Sequence, residues 1–224
     1  MKIPRIDALY RVGRFTAKVF LPTFGSLEVV GLQNVPKNGP LLVAANHQSY
    51  ADPPVLIYAI NRPIWFMAKR TLFKGPFLSY LLRKVHVFPV DRNGRDFEAL
   101  HWAQETVDQG RALAVFPEGT RSPGALRSGQ DGLAYIALRT GAPILPVAIT
   151  GTEGIKHMLR MPFHFQKLRA VIGEPYLLAP AQRIDRSLLE SVTVRIMRSI
   201  ADLLPASYRG AYNTIDDGPV IGSP

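Results

Sequence analysis

Short apolar runs alternate along the chain with longer stretches whose apolar positions recur every three or four residues, the mark of strands laid between helices in an α/β sheet. The runs predict strands over Leu27 to Leu32, Leu41 to Ala45, Ile64 to Ala68, Val85 to Val90, Ala112 to Phe116, Ile144 to Ile149 and Arg169 to Ile172. Helices are predicted near Pro53 to Ile60, Phe77 to Arg83, Phe97 to Val107, Leu133 to Arg139 and Ser187 to Leu204. In the last of these, Leu189, Val192, Ile196, Ile200 and Leu203 follow spacings of three and four, and Asp185 stands where it can cap the start. The expected fold is therefore α/β, with a mixed, largely parallel central sheet flanked by helices.

The two ends read differently from this middle. Over residues 3 to 20, Asp7, Arg11, Arg14 and Lys18 recur at spacings of four, three and four, while Ile3, Ile6, Leu9, Tyr10 and Phe20 fall elsewhere around the wheel. Such a basic amphipathic helix suits a membrane interface with anionic headgroups. The same pattern suits a surface helix packing on its own domain. The tail from Tyr208 to Pro224 is rich in Gly, Pro, Asp and Ser without apolar period, which predicts an extended end. The expected organisation is a membrane-associating helix over 1–25, one enzymatic domain over 26–205 and a flexible tail over 206–224. Within the domain, TLFKGPFLSYLL (71–82) is apolar and broken by Gly75-Pro76, as in a segment that dips into a bilayer surface or a buried helical hairpin.

Composition narrows the partners. The 224 residues suffice for one well-buried domain, and a mean hydropathy of +0.05 is high enough to expect some apolar surface to stay exposed. A formal charge of +10 implies anionic partners without saying whether they are lipid headgroups, phosphorylated substrates or nucleic acid. No nucleic-acid motif is present, and the aromatics sit in apolar runs rather than among basic residues, so no nucleic-acid partner is expected. Without cysteine there is no disulfide or thiolate nucleophile, which fits a reducing compartment. The first residues lack the pattern of a signal peptide, and no apolar stretch reaches 18 residues without charge, so the expected place is the cytoplasmic face of a membrane, peripheral or monotopic.

Chemistry-bearing residues follow three predicted strands. Asn46-His47-Gln48-Ser49-Tyr50-Ala51-Asp52 comes directly after LLVAA and before a Pro-Pro helix start, at the kind of strand end where α/β folds gather ligands. A histidine there accepts a proton near neutral pH, and a carboxylate at its other ring nitrogen fixes the tautomer. Spacing alone is weak, since five His and ten Asp in this length give roughly 0.2 chance matches. Phe116 to Ser122, FPEGTRS, follows RALAVF and offers Glu118, backbone amides at Gly119, the Thr120 hydroxyl and the Arg121 guanidinium to an anionic oxygen cluster. The bland alternative is a solvated turn with a surface Glu–Arg pair. Val90-Asp91-Arg92 places a second arginine after a third strand. Together these strand ends hold what is needed to bind a phosphate while deprotonating a nearby hydroxyl.

These blocks, in this order, resemble the glycerolipid acyltransferase family of 1-acylglycerol-3-phosphate acyltransferases over roughly residues 27 to 175: NHxxxxD as Asn46-His47 to Asp52, the arginine block at Arg92, FPEGTRS, and a fourth block as Pro143 to Ile149. The resemblance implies His47 as general base and Asp52 as its orienting partner. It implies that Arg92, Glu118, Gly119, Thr120 and Arg121 bind the phosphorylated acceptor, and that Pro146 shapes the site. It also implies an acyl-coenzyme A or acyl carrier protein donor, a lysophospholipid acceptor, a membrane surface with anionic lipids, and neither cofactor nor metal. The chain departs from the family at His86 and Val87, where glycine is common, and at Gln130-Asp131, where lysine often precedes the next glycine. Lysophospholipids with a larger headgroup, glycerol phosphate or an amine-bearing lipid therefore stay open as acceptors, as does a noncatalytic lipid-binding protein. The G-x-S-x-G elbow of acyl-serine enzymes is absent, which favours direct transfer. His86, His101, His157 and His164 show no ligand spacing.

Overall fold

Strands without a polar face need cover on both sides. The computed structural model, which describes residues 8–23, 26–91, 96–155, 167–179, 181 and 183–213, provides it. In chain order the elements are α1 (Ala8–Thr23), β1 (Ser26–Val30), β2 (Leu41–Ala45), α2 (Asp52–Ala59), β3 (Ile64–Lys69), α3 (Pro76–Lys84), β4 (Val87–Val90), α4 (Phe97–Asp108), β5 (Ala112–Val115), α5 (Gly132–Thr140), β6 (Ile144–Thr150), β7 (Lys167–Ile172) and α6 (Arg186–Ala201). The seven strands form one sheet in the order β1-β7-β6-β2-β5-β3-β4. Only the β6–β7 pairing is antiparallel, so the sheet is mixed and largely parallel as its sequence pattern predicts.

β2 sits at the centre with all five residues buried, and its alternation divides the core. Leu42 and Ala44 join the cluster built with α4, α5 and α6; Leu41, Val43 and Ala45 join the one built with α1 and α2. Because β2, β5, β3, β4 and β6 run the same way, their carboxyl ends share one edge. The first two motifs emerge there, from β2 and β5.

α1 packs on the domain and also keeps an apolar face outward. Tyr10, Ala17 and Leu21 are buried, and the Tyr10 hydroxyl accepts the Ile64 N–H at 3.0 Å. The Tyr10 ring stacks at 4.6 Å on His86, which stacks at 4.3 Å on Trp65. Val12, Phe15 and Val19, one or two turns apart, stay exposed. Residues 1–7, with Ile3, Ile6 and Asp7, lie outside the described residues, as do His157 and His164.

α6 starts at its expected cap: the Asp185 carboxylate accepts the Leu188 N–H at 2.9 Å. The tail departs from expectation. Residues 206–213 form two 3-10 turns docked on the loop after β5, with Leu126 N–H donating to the Tyr208 carbonyl at 2.8 Å and Ala211 N–H to the Leu126 carbonyl at 3.1 Å. Polar composition hid two tyrosine anchors: Tyr208 donates its hydroxyl proton to Glu153 at 2.7 Å, and the Tyr212 hydroxyl accepts the Gly129 N–H at 3.4 Å. Residues 214–224 lie outside the described residues.

Candidate active site

β2 delivers the Asn46 to Asp52 turn to the shared edge, and β6 fixes it there. Asn46 exchanges both hydrogen bonds with Ile149, its amide donating to the Ile149 carbonyl at 2.8 Å and its oxygen accepting the Ile149 N–H at 2.7 Å. The Gln48 side chain donates to the same carbonyl at 2.6 Å. The chain then folds back, so that Asp52, the first residue of α2, faces His47 across the turn: His47 Nδ1 and Asp52 Oδ2 are 2.7 Å apart. With Nδ1–H held by a carboxylate, Nε2 is the nitrogen left to exchange a proton with a substrate. The imidazole is 15% exposed and stacks on Phe116 at 4.1 Å, while Asp52 is fully buried.

A buried carboxylate needs donors on its remaining lone pairs. Asp52 Oδ2 also accepts the N–H groups of Gln48 at 2.6 Å and Ser49 at 2.7 Å, and Oδ1 accepts the Thr152 hydroxyl at 2.6 Å. It also stands at a helix N-terminus, where negative charge is favoured. Thr152 was not singled out in the sequence. It is fully buried in the turn directly after β6, so the strand-end rule that picks out the other motifs also points to it. Gly151 makes that turn at φ 85; a side chain on it would collide with the Lys167 carbonyl.

The FPEGTRS loop arrives from β5, next to β2, and clamps the histidine from both sides. His47 N–H donates to Glu118 Oε1 at 2.7 Å, and Ser122 N–H donates to the His47 carbonyl at 2.7 Å. Glu118 Oε2 accepts the Arg127 N–H at 3.0 Å. Glu118 is 5% exposed with an amide on each carboxylate oxygen, so it braces the two loops where the sequence suggested a substrate ligand. Burial pushes its pKa up to about 7, against the two amides that hold it down, with the Asp52 charge adding to the rise.

Gly119 also turns inward. Its N–H donates to the Phe116 carbonyl at 3.1 Å, and its φ of 68 suits glycine; a Cβ there would meet the Gln130 side chain at 3.2 Å. The backbone amide expected to face an anion is therefore directed within the loop. Thr120 and Arg121 are exposed, and Arg121 lies over the Tyr50 ring at 3.7 Å from its centroid, which holds the guanidinium against the histidine turn. Tyr50 is the second residue the motifs left unmarked. Arg92 lies outside the described residues; the loop that carries it leaves β4 at Asp91, whose N–H donates to Asp96 Oδ2 at 2.7 Å. The departure at Gln130-Asp131 is structural here: Gln130 N–H donates to the Pro117 carbonyl at 2.7 Å, and Asp131 accepts the Thr193 hydroxyl at 3.0 Å. Among the described residues no group of three or more His, Cys, Asp or Glu could hold a metal ion.

The arrangement pairs a partly exposed base with a buried, hydrogen-bonded acid behind it and a cation stacked on Tyr50 of the same turn. Residues 26–150 match the family model described as Acyltransferase. The chain is 28% identical over 168 residues to the 1-acyl-sn-glycerol-3-phosphate acyltransferase of Bacillus subtilis, an alignment covering 75% of this chain and 82% of that protein. It is 35% identical over 128 residues to the protein of the same name from Borreliella burgdorferi, covering 56% of this chain and 51% of that one. The crystal structure of the 1-acyl-sn-glycerophosphate (LPA) acyltransferase PlsC from Thermotoga maritima superposes with a TM-score of 0.66 at 31% identity, covering 87% of this chain and 79% of that one.

Proposed function

Since the chain belongs to the acyltransferase family, we propose that it transfers a fatty acyl group from an acyl thioester to the free hydroxyl of a 1-acylglycerol 3-phosphate, giving phosphatidic acid. The observation that carries this reading is the 2.7 Å contact of His47 Nδ1 with a fully buried Asp52 at the site's edge.

In the reaction, His47 Nε2 takes the acceptor hydroxyl proton as that oxygen bonds to the thioester carbonyl carbon. The tetrahedral intermediate collapses with cleavage of the carbon–sulfur bond, and the imidazolium returns its proton to the leaving thiolate. Asp52 holds the ring in the Nδ1–H tautomer and stabilises the imidazolium; Thr152 and the Gln48 and Ser49 amides hold Asp52. Arg121, parked on Tyr50, and the exposed Thr120 hydroxyl engage the acceptor phosphate, with Arg92 as a second cation from the β4 loop. Glu118 acts through the loops it braces, and Gly119 shapes the turn.

The donor is acyl-coenzyme A or acyl carrier protein, and no cofactor is called for by a direct transfer. No helix among the described residues is long and apolar enough to cross a membrane. The exposed Val12, Phe15 and Val19 with Arg11 and Lys18 support interfacial docking of α1 on anionic lipids, for which we assign the cytoplasmic face. We assign 1–25 to that contact and the enzymatic unit to the residues from 26 onward, including the docked 206–213.

The test is phosphatidic acid formation by the purified chain from lysophosphatidic acid and each donor, run beside glycerol 3-phosphate and lysolipids with other headgroups. Conversion fastest with lysophosphatidic acid is expected. A preference for another acceptor would overturn the substrate while leaving the reaction class, and no transfer to any of them would favour a noncatalytic lipid-binding protein.

A further inference from the structure

α3 holds Phe77, Leu78, Tyr80, Leu81 and Leu82 within nine residues, yet none of its residues is buried. A helix of that composition ordinarily hides an apolar stripe in its own core. Here Phe77 is 77% and Tyr80 60% exposed, and Leu72, in the 3-10 turn just before the helix, is exposed beside them. No acidic residue occurs between Lys69 and Lys84. Lys69, Lys74 and Arg83 are exposed along this segment, as is Arg70, whose guanidinium lies 3.8 Å from Asp96 and 3.7 Å from Glu98, and the Lys84 ammonium lies 5.7 Å from the Tyr80 ring.

An apolar face ringed by cations complements an anionic lipid surface, in which aromatics settle at headgroup depth while lysine and arginine meet the phosphates. An acidic protein would match the cations but offers no apolar phase for Phe77. The position also fits a lipid substrate. The 3-10 turn Arg70–Leu72 leaves the carboxyl end of β3, which is separated from β2 only by β5; two strand spacings, roughly 10 Å, lie between it and the strand that delivers His47. A lysolipid keeps its hydroxyl and phosphate at the headgroup level and its chain in the hydrocarbon, so contact at this edge brings the base to the substrate where it lies. The far end of α3 is tied to α1 through the stack of His86 on Tyr10.

We propose that residues 70–84 form a second membrane contact, docking on an anionic lipid surface beside the mouth of the site. The inference rests on the acyltransferase reading above and extends its membrane contact from α1 to α3.

The chain has no cysteine, so one introduced thiol gives one label. An environment-sensitive fluorophore on Phe77→Cys is expected to shift to the blue on vesicles of phosphatidylglycerol and phosphatidylcholine, and to be quenched by brominated acyl chains. The same label on Val194→Cys, on α6, is expected to stay unmoved. The double variant Lys74→Glu, Arg83→Glu is expected to bind these vesicles at least roughly thirtyfold more weakly while turning over a short-chain, fully dissolved acceptor at the wild-type rate. If a label on Phe15→Cys responds and that on Phe77→Cys does not, the second contact is overturned and the α1 contact stands. If the chain does not sediment with the vesicles at all, membrane docking by either helix is overturned. A Phe77→Cys label moved by acyl carrier protein but not by vesicles would give the surface to the carrier and overturn the proposal.

Discussion

The two edges of the sheet both bury polar side chains, and they use them for different ends. At the amino edge, Arg62 is 9% exposed and donates to the carbonyls of Pro36 at 3.0 Å, Gly39 at 2.6 Å and Gly110 at 3.2 Å. One guanidinium joins three loops, and each of these three bonds goes to backbone. At the carboxyl edge, Asp52 and Glu118 gather backbone amides in the same way, but the network ends on an imidazole that solvent reaches. Burial of polar groups is thus common to both edges; the carboxyl-edge network ends on a titratable nitrogen at its rim, the Arg62 network on carbonyls. A satisfied buried network marks an active site when it terminates on an exposed base, and a structural clasp when it terminates on carbonyls.

This contrast breaks most visibly at Asp52. Asp52→Asn preserves the shape and most of the hydrogen bonds while removing the charge behind His47. Turnover is expected to fall about 10²–10⁴-fold with the fold retained, read by steady-state thiol release together with circular dichroism. An unfolded variant would move Asp52 into the structural class with Arg62.

Glu118 sharpens the comparison through pH. Its pKa is raised to about 7 in the folded chain from 4.5, so between these values the native state keeps a proton the unfolded chain has lost. Stability is therefore expected to fall as pH rises through this window, by on the order of 3 kcal/mol, and to level off above it. Urea unfolding at pH values across the window, wild type against Glu118→Gln, checks this: the variant is expected to lack that decline, and equal slopes in both would contradict it.

Arg62→Met supplies the opposite case. Leaving three carbonyls without their donor is expected to cost about 2–3 kcal/mol in denaturant unfolding, with turnover per folded molecule unchanged. Thr152→Val, nearly the same shape, is expected to lower turnover roughly tenfold by freeing Asp52 Oδ1, with rescue by Thr152→Ser and little change in the Michaelis constant for the acceptor. Loss of acceptor binding instead would place Thr152 at the substrate.

The strands and helices were legible because their apolar runs and periods are local, and each element falls within a few residues of its expected place. His47 and Asp52 were legible for the same reason: a strand end, a six-residue turn and a helix start bring them together. Their supports are not local. Thr152 reaches Asp52 across 100 residues, and Glu118 reaches His47 across 71. Nothing in the spelling FPEGT says that its carboxylate points inward; that follows from the adjacency of β5 to β2. Arg62 reads as an ordinary surface arginine until three loops converge on it. Tyr208 and Tyr212 sit in a segment whose composition reads as loose, and only the partners Glu153 and Gly129 reveal them as anchors.

His47, held by Asp52, is the proposed base for acyl transfer. The most direct measurement is acceptor-dependent thiol release from an acyl thioester with lysophosphatidic acid, wild type against His47→Ala, with folding matched by thermal unfolding. Release by the wild type and its loss in the variant by at least about 10²-fold are expected. Release that survives in a folded His47→Ala variant would contradict this role.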